Sequence, residues 1–132
     1  MSLKAKCIKS PREKSDGLRI SVMSRHTLSD GITPDKEITE ASFDTWWREL
    51  APPVILIGSY YKRRLLWEIF EKEYVQFLKL PNIKAQLLKL IEFSKNSNVT
   101  ILCTEKTPDK CHRRIIAETC KEIDPLLEID IQ

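Results

Sequence analysis

The chain has 132 residues, 42% apolar and 31% charged, with a formal net charge of +3. That is enough chain for one hydrophobic core, in the balance of an ordinary soluble domain, and too mildly basic to require a nucleic acid as partner. No apolar run approaches the ~18 residues of a membrane-spanning helix, and the N-terminus lacks the charged-then-apolar pattern of a signal peptide.

"LKAKCIK" (3–9) and "LRISVMS" (18–24) alternate as strands do, with the polar turn "SPREKSDG" between them. Residues 25–42 hold Gly31, Pro34 and many polar side chains. So long an irregular connection in a compact domain is more often functional than idle. "SFDTWWREL" (42–50) predicts a helix, with Ser42 as N-cap and Phe43, Trp46, Trp47 and Leu50 at helical spacing. "APPVILIGSYY" (51–61) fits either a buried strand or a helical turn. Residues 62–80 place Leu66, Ile69, Phe70, Tyr74, Phe77 and Leu78 on one helical face, and Pro81 ends that helix. "NIKAQLLKLIEFSKN" (82–96) repeats the stripe.

In the last third, "NVTILC" (98–103) reads as a buried strand, "PDKCHRRIIAETCKEI" (108–123) as a helix and "LLEIDI" (126–131) as a closing strand. Strand, helix and strand at this spacing form a unit of a parallel sheet. With no repeat or long linker, the expectation is a single α/β domain over residues 1–132, its mostly parallel sheet flanked by helices.

The four cysteines, at 7, 103, 111 and 120, belong to no secreted framework. They imply reduced thiols and a cytoplasmic location, with a Cys103–Cys111 disulfide as the lesser alternative. "LCTEKTPDKCHRRII" (102–116) gathers two of them with one of the two histidines, beside Arg113 and Arg114. Thr107 suits an N-cap, Pro108 a first helical position, and Asp109 the positive end of the helix dipole. The plain reading places Cys111 on the apolar stripe with Ile115, Ile116, Cys120 and Ile123, because a free cysteine packs as a small hydrophobe. Cys7 and Cys120 take that core reading.

The cations are harder to absorb. A positive side chain near a helix start is disfavoured by ~0.3–1 kcal/mol when exposed, yet Lys110, Arg113 and Arg114 crowd the opening turns. Free N–H groups and guanidinium forks together make an anion site, unless each arginine points to solvent or pairs with Glu105 or Glu118. A thiol beside such cations is acidified, so Cys103 or Cys111 becomes a candidate nucleophile with His112 or Glu105 moving protons. The phosphatase and rhodanese-like loop needs an arginine six residues after its cysteine. Asp109 and Ala117 stand there instead, which excludes that mechanism. The spacing C-x7-C-H matches no usual zinc pair and adjacent Cys-His ligands are awkward, so no metal or cofactor is expected.

Ser24, Arg25 and His26 follow the second strand, where ligands of open α/β sheets bind. If the two strands are neighbours, these residues converge with Cys103, Glu105, His112 and Arg113. "YYKRRLLW" (60–67) offers stacking and phosphate contacts to a nucleic-acid strand, against the plainer reading of a solvated basic face over buried tyrosines.

At these residues the sequence resembles the domain-of-unknown-function 488 proteins. "CTEKTPDKCHRRIIAE" matches their closing motif C-x-E-x-x-P-x-x-C-H-R, while "SRHTLSDG", "FDTWWRELAPP", "YY" and "WEIFEKEYVQFL" are further family-like pieces; together they fall within residues 18–131. Related members carry an "LWPRG"-like stretch after the second strand where this chain has "SRHTLSDG". The resemblance implies an α/β fold and no established activity. It carries over Cys103, Glu105, Cys111, His112 and Arg113, with Ser24 and Arg25.

The functional expectation is a cytoplasmic protein with a thiol-containing pocket, acting on a small anionic, phosphorylated or nucleotide-like ligand. Arg113, Arg25, Ser24 and His26 are expected to bind that ligand; Cys103, Cys111, His112 and Glu105 are expected to act on it. The alternative classes are a non-enzymatic nucleic-acid-binding module using residues 60–64, and a purely structural motif.

Overall fold

Apolar alternation at the two ends of the chain meets in one sheet. In a computed structural model describing residues 1–132, five strands pair: β1 (Ser2–Cys7), β2 (Leu18–Ser21), β3 (Thr45–Trp46), β4 (Val99–Cys103) and β5 (Glu128–Ile131). Their order is β3-β2-β4-β1-β5 and every pairing is parallel. β1 thus lies between two strands from the last third of the chain, with Leu3 opposite Val99 and Cys7 opposite Cys103. The helices are α1 (Val54–Lys62), α2 (Trp67–Leu78), α3 (Pro81–Asn96) and α4 (His112–Ile123). α2, α3 and α4 pack against one another, and α3 and α4 rest on β1.

Strand alternation sends Leu3, Ala5, Ile20, Val99 and Ile101 into the same core as Tyr74, Leu87, Leu90 and Ile116 from the helices. Fully burying a side chain of the larger apolar kinds stabilises by about 1.5–3 kcal/mol. The alternate positions Lys6, Arg19 and Thr100 are also buried. There, Asp16 accepts from Lys6 at 2.6 Å and from Arg19 at 2.7 Å, and its carbonyl accepts from the Thr100 hydroxyl. Burial raises the Asp16 carboxyl, but the Glu13 N–H and the two cations outweigh it and hold the group at about 2. Gly17 follows with φ +62°, and a Cβ there would lie 1.9 Å from the Asn98 carbonyl oxygen. Only glycine lets β2 start this close to the end of α3.

Three expected elements differ. Residues 42–50 are not a helix: Thr45–Trp46 forms the edge strand β3 and Arg48–Leu50 a single 3-10 turn. The tryptophans settle this. Trp46 donates its indole N–H to the Met23 carbonyl, whereas Trp47 donates to Gln86 and packs on Phe93. Adjacent side chains on opposite sides require extended backbone.

The expected helix 62–80 begins only at Trp67, because Arg64 at φ +56° breaks the chain after α1 and the Leu65 N–H turns back to the Ser59 carbonyl. The ambiguous segment 51–61 contributes the helix α1. The last helix starts at His112 rather than Pro108, with Cys111 as its N-cap residue in place of Thr107. Turns occupy the residues before it, where the Pro108 carbonyl accepts from the Cys111 N–H. No helix is long and apolar enough to cross a membrane.

Candidate functional site

A parallel sheet ends all its strands together, so whatever follows β1, β2 and β4 is gathered along one edge. β2 and β4 are indeed neighbours. Beyond that edge lies a cavity of about 410 Å³, enclosed by α1, the start of α2, the segment after β2 and the segment after β4. Cys103, Cys111 and His112 line it, and their donor atoms all lie within 4.8 Å of one another.

Proton positions follow from the partners. The His112 Nε2 lies 2.8 Å from the Val22 carbonyl, which only accepts, so Nε2 carries the hydrogen. With that hydrogen on Nε2, Nδ1 can accept, and the Cys103 sulfur lies 3.3 Å from it, its one hydrogen shared between Nδ1 and the Cys111 sulfur. The Tyr74 ring stands edge-on to the imidazole, with centroids 5.8 Å apart, and holds its plane.

The two thiols diverge. Burial pushes Cys103 well above the usual thiol range, and its hydrogen bond to Cys111 and the charge there push it further. Burial also opposes ionisation of Cys111. The Cys103 hydrogen bond and the Arg113 guanidinium outweigh that penalty and bring it below the usual range. The Arg113 N–H at the helix start also favours the charged sulfur, without closing a capping bond. All four cysteines are free thiols, Cys103 and Cys111 included.

Arg113 is not where the sequence expectation put it. It was expected to grip an external anion; instead it is wholly buried. Its Nε and one terminal nitrogen donate to the Gln132 carbonyl at 3.2 and 3.0 Å, and the other terminal nitrogen to the Glu105 carbonyl at 2.7 Å. These bonds tie the end of β5 and the segment after β4 to the start of α4. No carboxylate side chain pairs with it. Arg114 takes up Glu71 and Glu118, the second of which the sequence offered.

His26 departs as well. Its ring lies 4.0 Å from Trp46 and 4.7 Å from Phe43, and Nε2 contacts the Ser21 hydroxyl at 2.7 Å. Burial first, then the Arg48 charge, lowers its pKa, and it does not line the cavity. It is held by β3, an element the sequence reading took for a helix. Ser24 and Arg25 do line the cavity; Arg25 is exposed and donates to the Gly31 carbonyl at 2.9 Å. Glu105 lines it too, and accepts from the Tyr61 hydroxyl at 2.7 Å.

Sequence reasoning missed the aromatic wall. Tyr60, Trp67 and Phe70 form a connected cluster with centroids 5.0–5.6 Å apart, lining the cavity rather than offering rings to a passing strand. Lys62 and Lys110 line it without an ion pair, whereas Lys9 is committed to Asp35 and Glu37 at 2.9 Å each. The doublet of tyrosines was visible in the sequence, but nothing local joins Tyr61 to a carboxylate 44 positions away.

The three donor atoms of the cluster would also fit a soft metal ion by proximity. The spacing argument against it therefore loses force, since the fold brings together what the sequence separates. The Cys103–His112 contact is nevertheless a complete hydrogen bond in itself, with the far ring nitrogen already oriented.

Fold and site together define an α/β protein with a cysteine–histidine cluster at the carboxyl edge of a parallel sheet. The chain belongs to the DUF488-N3a family, whose model, described as the active DUF488-N3 subclade, matches residues 3–124. It is similar to the uncharacterized protein YeaO of Escherichia coli (strain K12), at 23% identity over 124 residues, covering 93% of this chain and all of that relative. No solved structure matches it.

Proposed function

We propose that the chain is a thiol-dependent enzyme of a reducing, cytoplasmic compartment, with Cys111 as nucleophile and a small phosphorylated or nucleotide-like anion as substrate. The observation that carries this reading is the position of the Cys111 sulfur. It lines the cavity at the start of a twelve-residue helix, beside a buried guanidinium that no carboxylate side chain neutralises. Thiolates form in such surroundings. The active designation of the family model is in keeping with it.

In this scheme the Cys111 thiolate attacks an electrophilic centre of the ligand and the bond to the leaving group breaks. The leaving group takes its proton from solvent in the open cavity, and the Cys103–His112 contact fixes the floor of the site. Arg25, Lys62 and Lys110 face the ligand's charge against Glu105, and the rings of Trp67 and Phe70 face its flat or apolar part. Arg113 acts by holding Cys111 ionised rather than by touching the ligand. A nucleic-acid module on residues 60–64 is less favoured, since Tyr60 is packed in the aromatic cluster and Tyr61 is bound to Glu105.

The test is alkylation by iodoacetamide as a function of pH, read cysteine by cysteine in peptides. Cys111 is expected to titrate well below the reference value of ~8.5, with Cys7 as an internal comparison. The groups facing Cys111 are Cys103 on β4, His112 and Arg113 on α4, Tyr61 on α1, whose hydroxyl is bound to Glu105, and Tyr74 on α2. Ordinary reactivity at Cys111, or stoichiometric metal in freshly purified protein, would sink the proposal.

A further inference from the structure

The proposed nucleophile leaves the second thiol with a part still to play. Cys103 and Cys111 come from different elements, a buried strand and the loop leading into α4, yet their sulfurs lie within 4.8 Å in a shared cavity. Three features make such a pair oxidisable. An ionised sulfur beside cations is the form that hydroperoxides attack. Cys111, only 2% exposed, lines a cavity that is the route for a small peroxide to reach it. And the approach to a bond of ~2.05 Å is asymmetric: Cys103 is fixed in a central strand, whereas Cys111 ends an irregular segment and has extended backbone at φ −137°. Movement of the 104–110 segment, not of the sheet, closes the gap.

We infer that Cys111 and Cys103 are a reversible oxidation site at which a hydroperoxide converts the pair to an intramolecular disulfide and silences the nucleophile. The inference rests on the thiolate reading of Cys111. In the first step the Cys111 thiolate attacks one peroxide oxygen, and the O–O bond breaks. The distal oxygen leaves as hydroxide or alkoxide and takes a proton from solvent. Sulfur is oxidised to sulfenic acid and the peroxide is reduced to water or an alcohol.

In the second step the Cys103 thiol gives its proton to His112 Nδ1, already its hydrogen-bond partner, and its sulfur attacks the Cys111 sulfur. The S–O bond breaks, hydroxide leaves, and the proton held by His112 completes a second water. An external dithiol restores both thiols by exchange. Cys7 is the competing thiol: its Cα is paired in register with that of Cys103, but its sulfur is turned to the Thr104 carbonyl at 3.5 Å.

The experiment treats fully reduced protein with hydrogen peroxide and maps the peptides by mass, alongside the alkylation profile on the same preparation. The expected product has lost the two thiol hydrogens, links Cys103 to Cys111, and is fully reversed by dithiothreitol. Cys103→Ser and Cys103→Ala are both expected to halt at a sulfenic acid on Cys111 that dimedone traps, then proceed to the irreversible sulfinic acid. Two variants guard against one failing to fold.

A link through Cys7, or direct overoxidation of Cys111 in the unmutated chain, overturns the inference while leaving a low-titrating Cys111 as proposed nucleophile. A Cys103–Cys111 link formed by a Cys111 of ordinary acidity removes the nucleophile and overturns its silencing, leaving only the geometry of the pair. Stoichiometric metal in the reduced protein overturns both.

Discussion

Two buried charged clusters lie in this protein, and they are resolved in opposite ways. Around Asp16, one carboxylate is held between Lys6 and Arg19, with Glu13 at the edge and every polar atom engaged. Around Cys111, an arginine equally buried is bonded to the main-chain oxygens of Glu105 and Gln132, and its charge lies beside two thiols. The first cluster is shut away from the cavity and the second opens onto it. Buried charge paired with a carboxylate serves architecture; buried charge held by main-chain oxygens beside a thiol is free to set reactivity.

The sharpest way to break this contrast is Asp16→Asn, which strands two buried cations. It is expected to cost about 3–5 kcal/mol, measured by chemical denaturation. A pH series refines it. Because the Asp16 pKa is lowered on folding, its contribution is fully present above the unfolded value of ~3.9 and fades as pH falls toward the folded value of about 2. Stability of the unmutated protein should fall more steeply through that window than that of the variant, which keeps the lowered carboxyls of Asp30, Asp35, Asp44 and Asp124.

Arg113→Met is the counterpart in the other cluster. Losing its hydrogen bonds to Gln132 and Glu105 should cost about 2–3 kcal/mol. The more telling readout is the alkylation midpoint of Cys111, expected to rise by about 1 pH unit or more once the cation is gone. An unmoved midpoint would make Arg113 a purely architectural residue like Arg19. The mildest change is Tyr61→Phe, which frees Glu105 at the cavity mouth and should cost about 0.5–1 kcal/mol with little effect on the Cys111 midpoint.

What could be read from the sequence followed the range of the interaction. The parallel α/β class, α3 and the strand–helix–strand ending were carried by local periodicity, and the helix bears its apolar stripe at Ile115, Ile116 and Cys120. The clustering of Cys103, Cys111 and His112 was legible because it lies within ten residues of chain. The edge strand β3 was not, since Phe43, Trp46, Trp47 and Leu50 fit a helix just as well until Met23, Gln86 and Phe93 claim the two indoles.

Arg113 shows the same limit inside the motif. The excess of positive charge at the helix start is plain in the sequence. Its acceptors, however, are carbonyls whose positions depend on β5 and on the segment after β4. A residue type announces which bonds it can make, while the fold decides where they go.

The placement of β1 has a bearing on how the molecule is born. Its six residues are made well before their neighbours, since Leu3 pairs with Val99 on one side and Ile129 on the other. While the residues between β1 and β4 are being made the strand has no neighbour, and the helices α2 and α3 must wait beside an unfinished core. Assembly is therefore dominated by contacts distant along the chain, which slows collapse into the native arrangement and exposes an unpaired apolar strand to other nascent chains in the interval.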